Sequence, residues 1–204
     1  MNEKSALVGP PAWVPEAVKS SIVTDPPLKL DFGCGPHPRD GFAGVDQYPF
    51  DGKVKYVVDI RKTPWPWADS SVDEANASHF LEHLTVTERC SFLNELHRVL
   101  KPNANFAFAV PHWNSNRAYG DPTHQWPPIS EMFFFYLNRE WRMANAPHTD
   151  KSVWSLGYSC NFDFTYGYTL RPDILERNQD YQQYAMRNLK EVCMDTVGNL
   201  MCRK

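Results

Sequence analysis

The stretch "LDFGCGP", residues 30–36, constrains the fold of this chain more than any other. Leu30 to Phe32 make a short, mostly apolar strand that runs straight into two glycines, Gly33 and Gly35, one residue apart. Glycine reaches left-handed backbone without steric cost and lets a ligand come close to the main chain. A first strand ending in such a turn predicts an open α/β sheet. In that architecture ligands bind beyond the carboxyl ends of the strands, at the topological switch point.

The following segments fit the same plan. "FAGVDQ" (42–47) and the β-branched "VKYVVDI" (54–60) read as strands two and three, and each carries an acid near its end, Asp46 and Asp59. "SVDEANASHF" (71–80) is a weaker fourth strand. "TVTERCSFLNELHRVLKP" (85–102) is an amphipathic helix, with Leu84, Phe92, Leu96, Val99 and Leu100 close to one face. Thr85 or Thr87 can cap its start, and Pro102 is expected to stop it. "ANFAFAVPH" (104–112) is a fifth strand. In the tail, "CNFDFTYGYTL" and "YAMRNLKEVCMDTV" are strand candidates, and "VGN" reads as a turn into a closing strand "LMCRK". The alternation predicts an α/β sandwich whose mostly parallel sheet is extended by antiparallel C-terminal strands. Residues 1–27 form a Pro-rich extension in which Trp13 can act as an anchor. Residues 28–204 form one domain, with a loop-rich aromatic insertion at about 112–150 that contains one helix, "ISEMFFFYLNREW".

Bulk properties narrow the function. The formal net charge of the 204 residues is −3, and no run of Lys or Arg marks a polyanion track. This argues against a nucleic-acid partner. The five cysteines form no Cys-x-x-Cys and are odd in number, which predicts free thiols and a reducing, cytoplasmic setting. No apolar run approaches the ~18 residues of a membrane span. The N-terminus "MNEKSALVGPP" has no signal-like apolar core.

The glycine loop also selects its ligand. A dinucleotide fingerprint needs Gly-x-Gly-x-x-Gly and an acid ~20 residues further on. Here the sixth position is Pro38, and Asp46 follows Gly35 by eleven residues. Pro36 and Pro38 also lack the N–H donors that a pyrophosphate requires. The loop suits a nucleoside without phosphate, with Asp46 accepting the ribose hydroxyls.

The ordered set "LDFGCGPHP", "GVDQYP", "VVDIRKTPWPWADSSVDEANASHFLEHL" and "FLNELHRVLKPN" resembles the class I S-adenosylmethionine (SAM) methyltransferases. It is closest to the small "type 11"-like proteins of bacteria and phages, and the similarity covers residues 28–112 best. The resemblance implies a Rossmann-like seven-stranded sandwich and SAM as cofactor. It places Gly33, Cys34 and Gly35 along the methionine moiety with Asp31 near its amino group. Asp46 would lie on the ribose, Asp59 and Ile60 on adenine, and Ser78 and His79 beside the transferred methyl. Two departures stand out: the loop lacks its third glycine, and "KPNAN" replaces Lys-Pro-Gly-Gly.

Within "HFLEH" (79–83) lies His-x-x-Glu-His, the inverted zinc-peptidase pattern. That reading needs a continuous helix and a third protein ligand. The segment instead reads as a strand exit, and no downstream acid is a compelling third ligand. No metal is therefore expected: His79 becomes a pocket residue, and Glu82 and His83 shape the turn. On the acceptor side, "PHWNSNRAYGDPTHQW" (111–126) offers His124 as a general base oriented by Asp121, with His112 and Tyr119 on the substrate. Equally, Asp121 can be a turn-former and His124 a surface residue. The end of strand four lacks the polar-Pro-Pro-aromatic string of DNA amino-methyltransferases, and the chain has no Pro-Cys pair. The expected reaction is methyl transfer to O or N of a small molecule or a sugar- or nucleotide-type metabolite. RNA or protein methylation, and a non-catalytic nucleoside- or partner-binding role, are the alternatives.

Overall fold

The computed structural model describes residues 26–204, so all but the last two residues of the Pro-rich extension, including Trp13, lie outside it. Seven strands form one sheet in the order β3-β2-β1-β4-β5-β7-β6. They are β1 (Lys29–Phe32), β2 (Ala43–Asp46), β3 (Tyr56–Val57), β4 (Val72–Ser78), β5 (Leu100–Pro111), β6 (Phe162–Leu170) and β7 (Cys193–Cys202). Strands β1 to β5 pair in parallel. β7 runs antiparallel between β5 and β6. The predicted sandwich with an antiparallel C-terminal edge is thus the observed one. Chain order reverses at β1 and β4, which creates a crevice at their carboxyl ends.

Among the described residues six α-helices accompany the sheet: α1 (Val86–Val99), α2 (Arg117–Gly120), α3 (Glu131–Leu137), α4 (Arg139–Asn145), α5 (Pro172–Leu175) and α6 (Gln179–Asn188). α1 begins in a capping box, where Thr85 accepts from the Glu88 N–H and the Glu88 carboxylate accepts from the Thr85 N–H. Its face of Cys90, Phe92, Leu93, Leu96 and Val99 is buried. Phe92 packs between Phe32 and Phe106 of the sheet, with ring centroids 5.3 and 6.0 Å away. Phe134 stacks on Phe108 at 4.6 Å, so the aromatic run of the insertion belongs to the core.

Several expectations are corrected. The third strand shrinks to two residues and pairs only with β2 at the sheet edge. α1 ends at Val99, since Leu100 is already extended. Pro102 therefore lies within β5, in the bulged stretch between the Val72–Leu100 and Glu74–Asn105 pairs, where it owes the ladder no donor. The helix expected over 129–141 is two helices, because Asn138 is extended and its side chain caps α4 on the Trp141 N–H. The tail strand expected over 184–197 is instead α6, capped by Asn178, followed by one continuous β7. "VGN" is not a turn. A Cβ on Gly198 would stand 2.1 Å from the Thr165 carbonyl oxygen, so this glycine serves close strand packing.

The insertion is anchored by Arg142, which is wholly buried. Its guanidinium donates to Asp150 Oδ2 (2.9 Å) and to the Tyr136 and Cys160 carbonyls. Burial alone would raise the Asp150 carboxyl, but donors from Ser152 and Arg142 hold it down at about 2.

Candidate active site

At the carboxyl ends of β1, β2 and β4 lies a cavity of about 400 Å³, lined by Gly33, Asp46, Asp59, Ile60, His79 and His83 among others. Small-molecule sites span ~300–1,000 Å³. The glycine turn shapes its floor. Gly33 is left-handed (φ 64°), and a Cβ there would lie 2.1 Å from the Phe80 ring, so only glycine lets the loop close on the strand-four exit. Gly35 is left-handed as well (φ 54°), and its α-carbon faces open space.

Asp46 ties the loop to β2. Its Oδ2 accepts from the Gly35 N–H (3.0 Å) and its Oδ1 from the Tyr48 N–H (3.1 Å). Asp59 is held by Arg61, whose guanidinium donates to both carboxylate oxygens. These hydrogen bonds lower the Asp59 pKa. Val58, Ile60, Phe80 and Leu84 add apolar wall.

Four predicted cofactor residues, Asp31, Cys34, Gly35 and Ser78, do not line the cavity. Asp31 is buried and accepts from Asn76 Nδ2 (2.6 Å) and the Arg39 N–H (2.8 Å), so its carboxylate braces the loop. Cys34 points its Sγ at the Gly35 carbonyl oxygen. Burial, with Asp31 and Asp46 nearby, pushes its thiol up to about 11, which suits a filler and not a nucleophile. Ser78 ends β4 and is not among the lining residues.

His79 lines the cavity at the strand-four exit. It has left-handed backbone (φ 52°), unusual for a non-glycine residue and characteristic of functional positions. Its Nδ1 lies 3.3 Å from Glu82 Oε1, and its Nε2 lies 4.0 Å from Asp195 Oδ1. Glu82 raises the imidazole pKa against the opposing effect of burial.

The acceptor-side residues divide. Asp121 and His124 do not line the cavity. Asp121 is exposed and receives the Thr123 N–H and hydroxyl, a turn-forming role that also lowers its pKa. His124 is packed against His83, their ring centroids 4.8 Å apart. Tyr119 is exposed and donates to the Trp113 carbonyl oxygen. His112 is buried in a separate cluster around Glu131, which also takes Tyr168 OH (2.9 Å) and Trp113 Nε1 (3.0 Å). Because His112 Nδ1 accepts from the Asn114 N–H, its Nε2 carries the proton toward Glu131. These donors, His112 first, hold the Glu131 carboxyl at about 2.

Sequence reasoning missed Arg89. It is buried on the inner side of α1 and donates to the carbonyls of Leu81, Glu82, Gln125 and Pro127. The Gln125 N–H also donates to the Glu82 carbonyl (2.8 Å). These bonds stitch the strand-four exit to residues 125–127. The only signal in the sequence is an arginine on the apolar face of an otherwise regular helix.

Fold and crevice define a class of protein. Residues 45–108 match the family model described as a methyltransferase domain. With the sheet order above, residues 45–108 carry a methyltransferase-domain match on the fold of the class I SAM-dependent methyltransferases, enzymes whose cofactor is S-adenosylmethionine. Among solved structures it is similar to a SAM-dependent methyltransferase from Archaeoglobus fulgidus, with TM-score 0.60 and 17% identity over 86% of each chain. A second similarity, at TM-score 0.51 and 15% identity, is to the Haloferax volcanii complex of the Trm112 methyltransferase activator with a methyltransferase, covering 92% of this chain and 87% of that one. A SAM-dependent methyltransferase from Mesorhizobium loti matches at TM-score 0.47 and 15% identity over 86% of this chain and 91% of that one. No curated protein sequence matches. No helix among the described residues is long and apolar enough to cross a membrane.

Proposed function

We propose that the cavity between β1, β2 and β4 holds SAM and that the chain methylates an O or N atom of a small molecule or a sugar- or nucleotide-type metabolite. The residues fit this cofactor. Asp46 has acceptor capacity left for two vicinal hydroxyls after receiving its two backbone N–H groups. The Ile60 and Leu84 side chains offer apolar contact for a purine ring, and the left-handed turn at Gly33 lets a methionine tail approach the backbone. When bound, SAM supplies an electrophilic methyl on a sulfonium that leaves as a neutral thioether. The protein's part is to align the acceptor lone pair with that methyl and exclude water. His79, at the strand-four exit, is the residue for this position.

The observation that favours a small acceptor is the charge at this edge. Arg61 is paired with Asp59, and Arg117 with Asp195 at 3.1 Å, so neither arginine is free for a polyanion. A small net negative charge agrees. Calorimetry with SAM and S-adenosylhomocysteine tests the cofactor, and methyl-labelled SAM incubated with metabolite, RNA and protein fractions tests the acceptor. Label in the metabolite fraction is expected. Absence of binding by either ligand, or label confined to RNA or protein, refutes the reading.

A further inference from the structure

We infer that Glu82, His83 and His124 form a binding site for a divalent first-row transition-metal ion at the acceptor end of the cavity. One ligand atom from each lies within 4.8 Å of the others. Ligands ~2.1 Å from a tetrahedral centre stand ~3.4 Å apart, so the three need to close by at most about 1.4 Å. The short connection Leu81–His83 sets Glu82 and His83 side by side, and Arg89 with the Gln125 N–H brings His124 to them.

Glu82 provides a second, independent observation that points to a cation. Its residue is 5% exposed, yet neither carboxylate oxygen has a hydrogen-bond partner. The nearest donor is His79 Nδ1, 3.3 Å from Oε1 in a loose ion pair, and Oε2 has no partner. A buried carboxylate left without donors is costly, and a cation removes that cost.

Hydrogen bonds also select the ligating nitrogens. The Thr123 hydroxyl donates to Asp121 Oδ1 at 2.6 Å, so toward His83 Nδ1, at 2.9 Å, it can only accept. His83 Nδ1 therefore carries the proton and Nε2 keeps a bare lone pair. His124 Nδ1 faces the Ala118 carbonyl at 3.3 Å, and a carbonyl only accepts. His124 Nε2 is bare too, with Asp121 Oδ2 3.9 Å away. Metal-bound histidines characteristically donate their second nitrogen to a carbonyl or a carboxylate-backed group in this way. Two imidazoles and one carboxylate suit Zn²⁺, Fe²⁺ or Co²⁺ better than Mg²⁺ or Ca²⁺. Glu82 and His83 of the string are joined by a third ligand, His124, from the insertion, and His79 is not part of the set.

Of the three ligands only His83 lines the cavity, so an ion held there would sit at the cavity wall, and with three protein ligands it would keep a position for an acceptor. Building on the proposed methyl transfer, this assigns the acceptor atom to an oxygen. A hydroxyl on the ion loses its proton to solvent, its oxygen forms the new bond to the methyl carbon, and the carbon–sulfur bond breaks with its electron pair going to sulfur.

The test uses the full untagged chain after chelation, titrated with Co²⁺. One equivalent is expected, with visible d–d absorption. Glu82→Gln and His124→Gln should weaken Co²⁺ binding at least 100-fold. Thr123→Val should weaken it ~10–100-fold through the lost orienting bond. All three should retain S-adenosylhomocysteine affinity within threefold. No stoichiometric Co²⁺ or Zn²⁺ in the parent protein, or unchanged affinity in both Glu82→Gln and His124→Gln, overturns the site. Loss of S-adenosylhomocysteine binding with Co²⁺ binding intact overturns the cofactor reading instead.

Discussion

Replacing Asp46 with alanine should weaken cofactor binding without unfolding the sheet. A carboxylate offers about four lone-pair positions. Two are occupied, by the Gly35 N–H at 3.0 Å and the Tyr48 N–H at 3.1 Å. The remaining two face the cavity, where a ribose diol would meet them. Hydrogen bonds to a charged acceptor contribute ~1.5–3 kcal/mol, so Asp46→Ala should raise the S-adenosylhomocysteine Kd about 10- to 150-fold. Asp46→Asn is nearly isosteric but should not rescue. Its single oxygen can satisfy one backbone N–H, while its amide nitrogen then confronts the other. Calorimetry measures both variants, with thermal unfolding as the control for loop integrity. Affinity within twofold of the parent protein for Asp46→Ala, with Tm unchanged, would refute the placement of the ribose at the end of β2.

Three further outcomes are expected. Gly33→Ala should destabilise the chain and abolish S-adenosylhomocysteine binding, because its Cβ would lie 2.1 Å from the Phe80 ring on left-handed backbone; binding within threefold would show that Phe80 moves aside. Asp150→Asn should cost ~3–5 kcal/mol in urea unfolding by leaving the wholly buried Arg142 guanidinium without its counter-charge, and a loss under 1 kcal/mol would mean the insertion is not anchored there. Glu131 has its pKa lowered to about 2 from an ordinary 4.5, so its stabilising contribution is complete above about pH 4.5 and fades as pH falls toward 2. The stability difference between the parent protein and Glu131→Gln should be constant above about pH 5 and shrink below it; a pH-independent difference would show that the cluster with His112 and Tyr168 does not hold the carboxylate charged.

The metal and methyl-transfer proposals meet at the strand-four exit, where local sequence was most misleading. "HFLEH" lacks the helix of a zinc peptidase, since His79 directly follows the end of β4 at Ser78 and Leu81–His83 is a single tight turn. This tight turn is incompatible with the peptidase frame. It does not exclude a ligand set completed from another segment, because Thr123 and His124 approach only through tertiary contacts.

Sequence alone fixed the features written in short-range pattern. Leu30–Phe32 running into Gly33 and Gly35 fixed the first strand and its turn, because that backbone requires glycine. Thr85 and Glu88 fixed the start of α1, because a capping box is local. Asp46 and Asp59 were placed on the cavity edge, because parallel strands bring their carboxyl ends together. Tertiary structure decided the rest. It withdrew Asp31 from the cavity by surrounding it with Asn76 and the Arg39 N–H, and it moved His112 to Glu131, on a different face. It made Gly198 a close-packing residue inside β7 where the string suggests a turn. It also assembled Glu82, His83 and His124 through Arg89, a buried cation that spends its hydrogen bonds on carbonyls from two separated segments. Such bonds depend on which backbone groups packing leaves unpaired, and one-dimensional spacing carries no record of that.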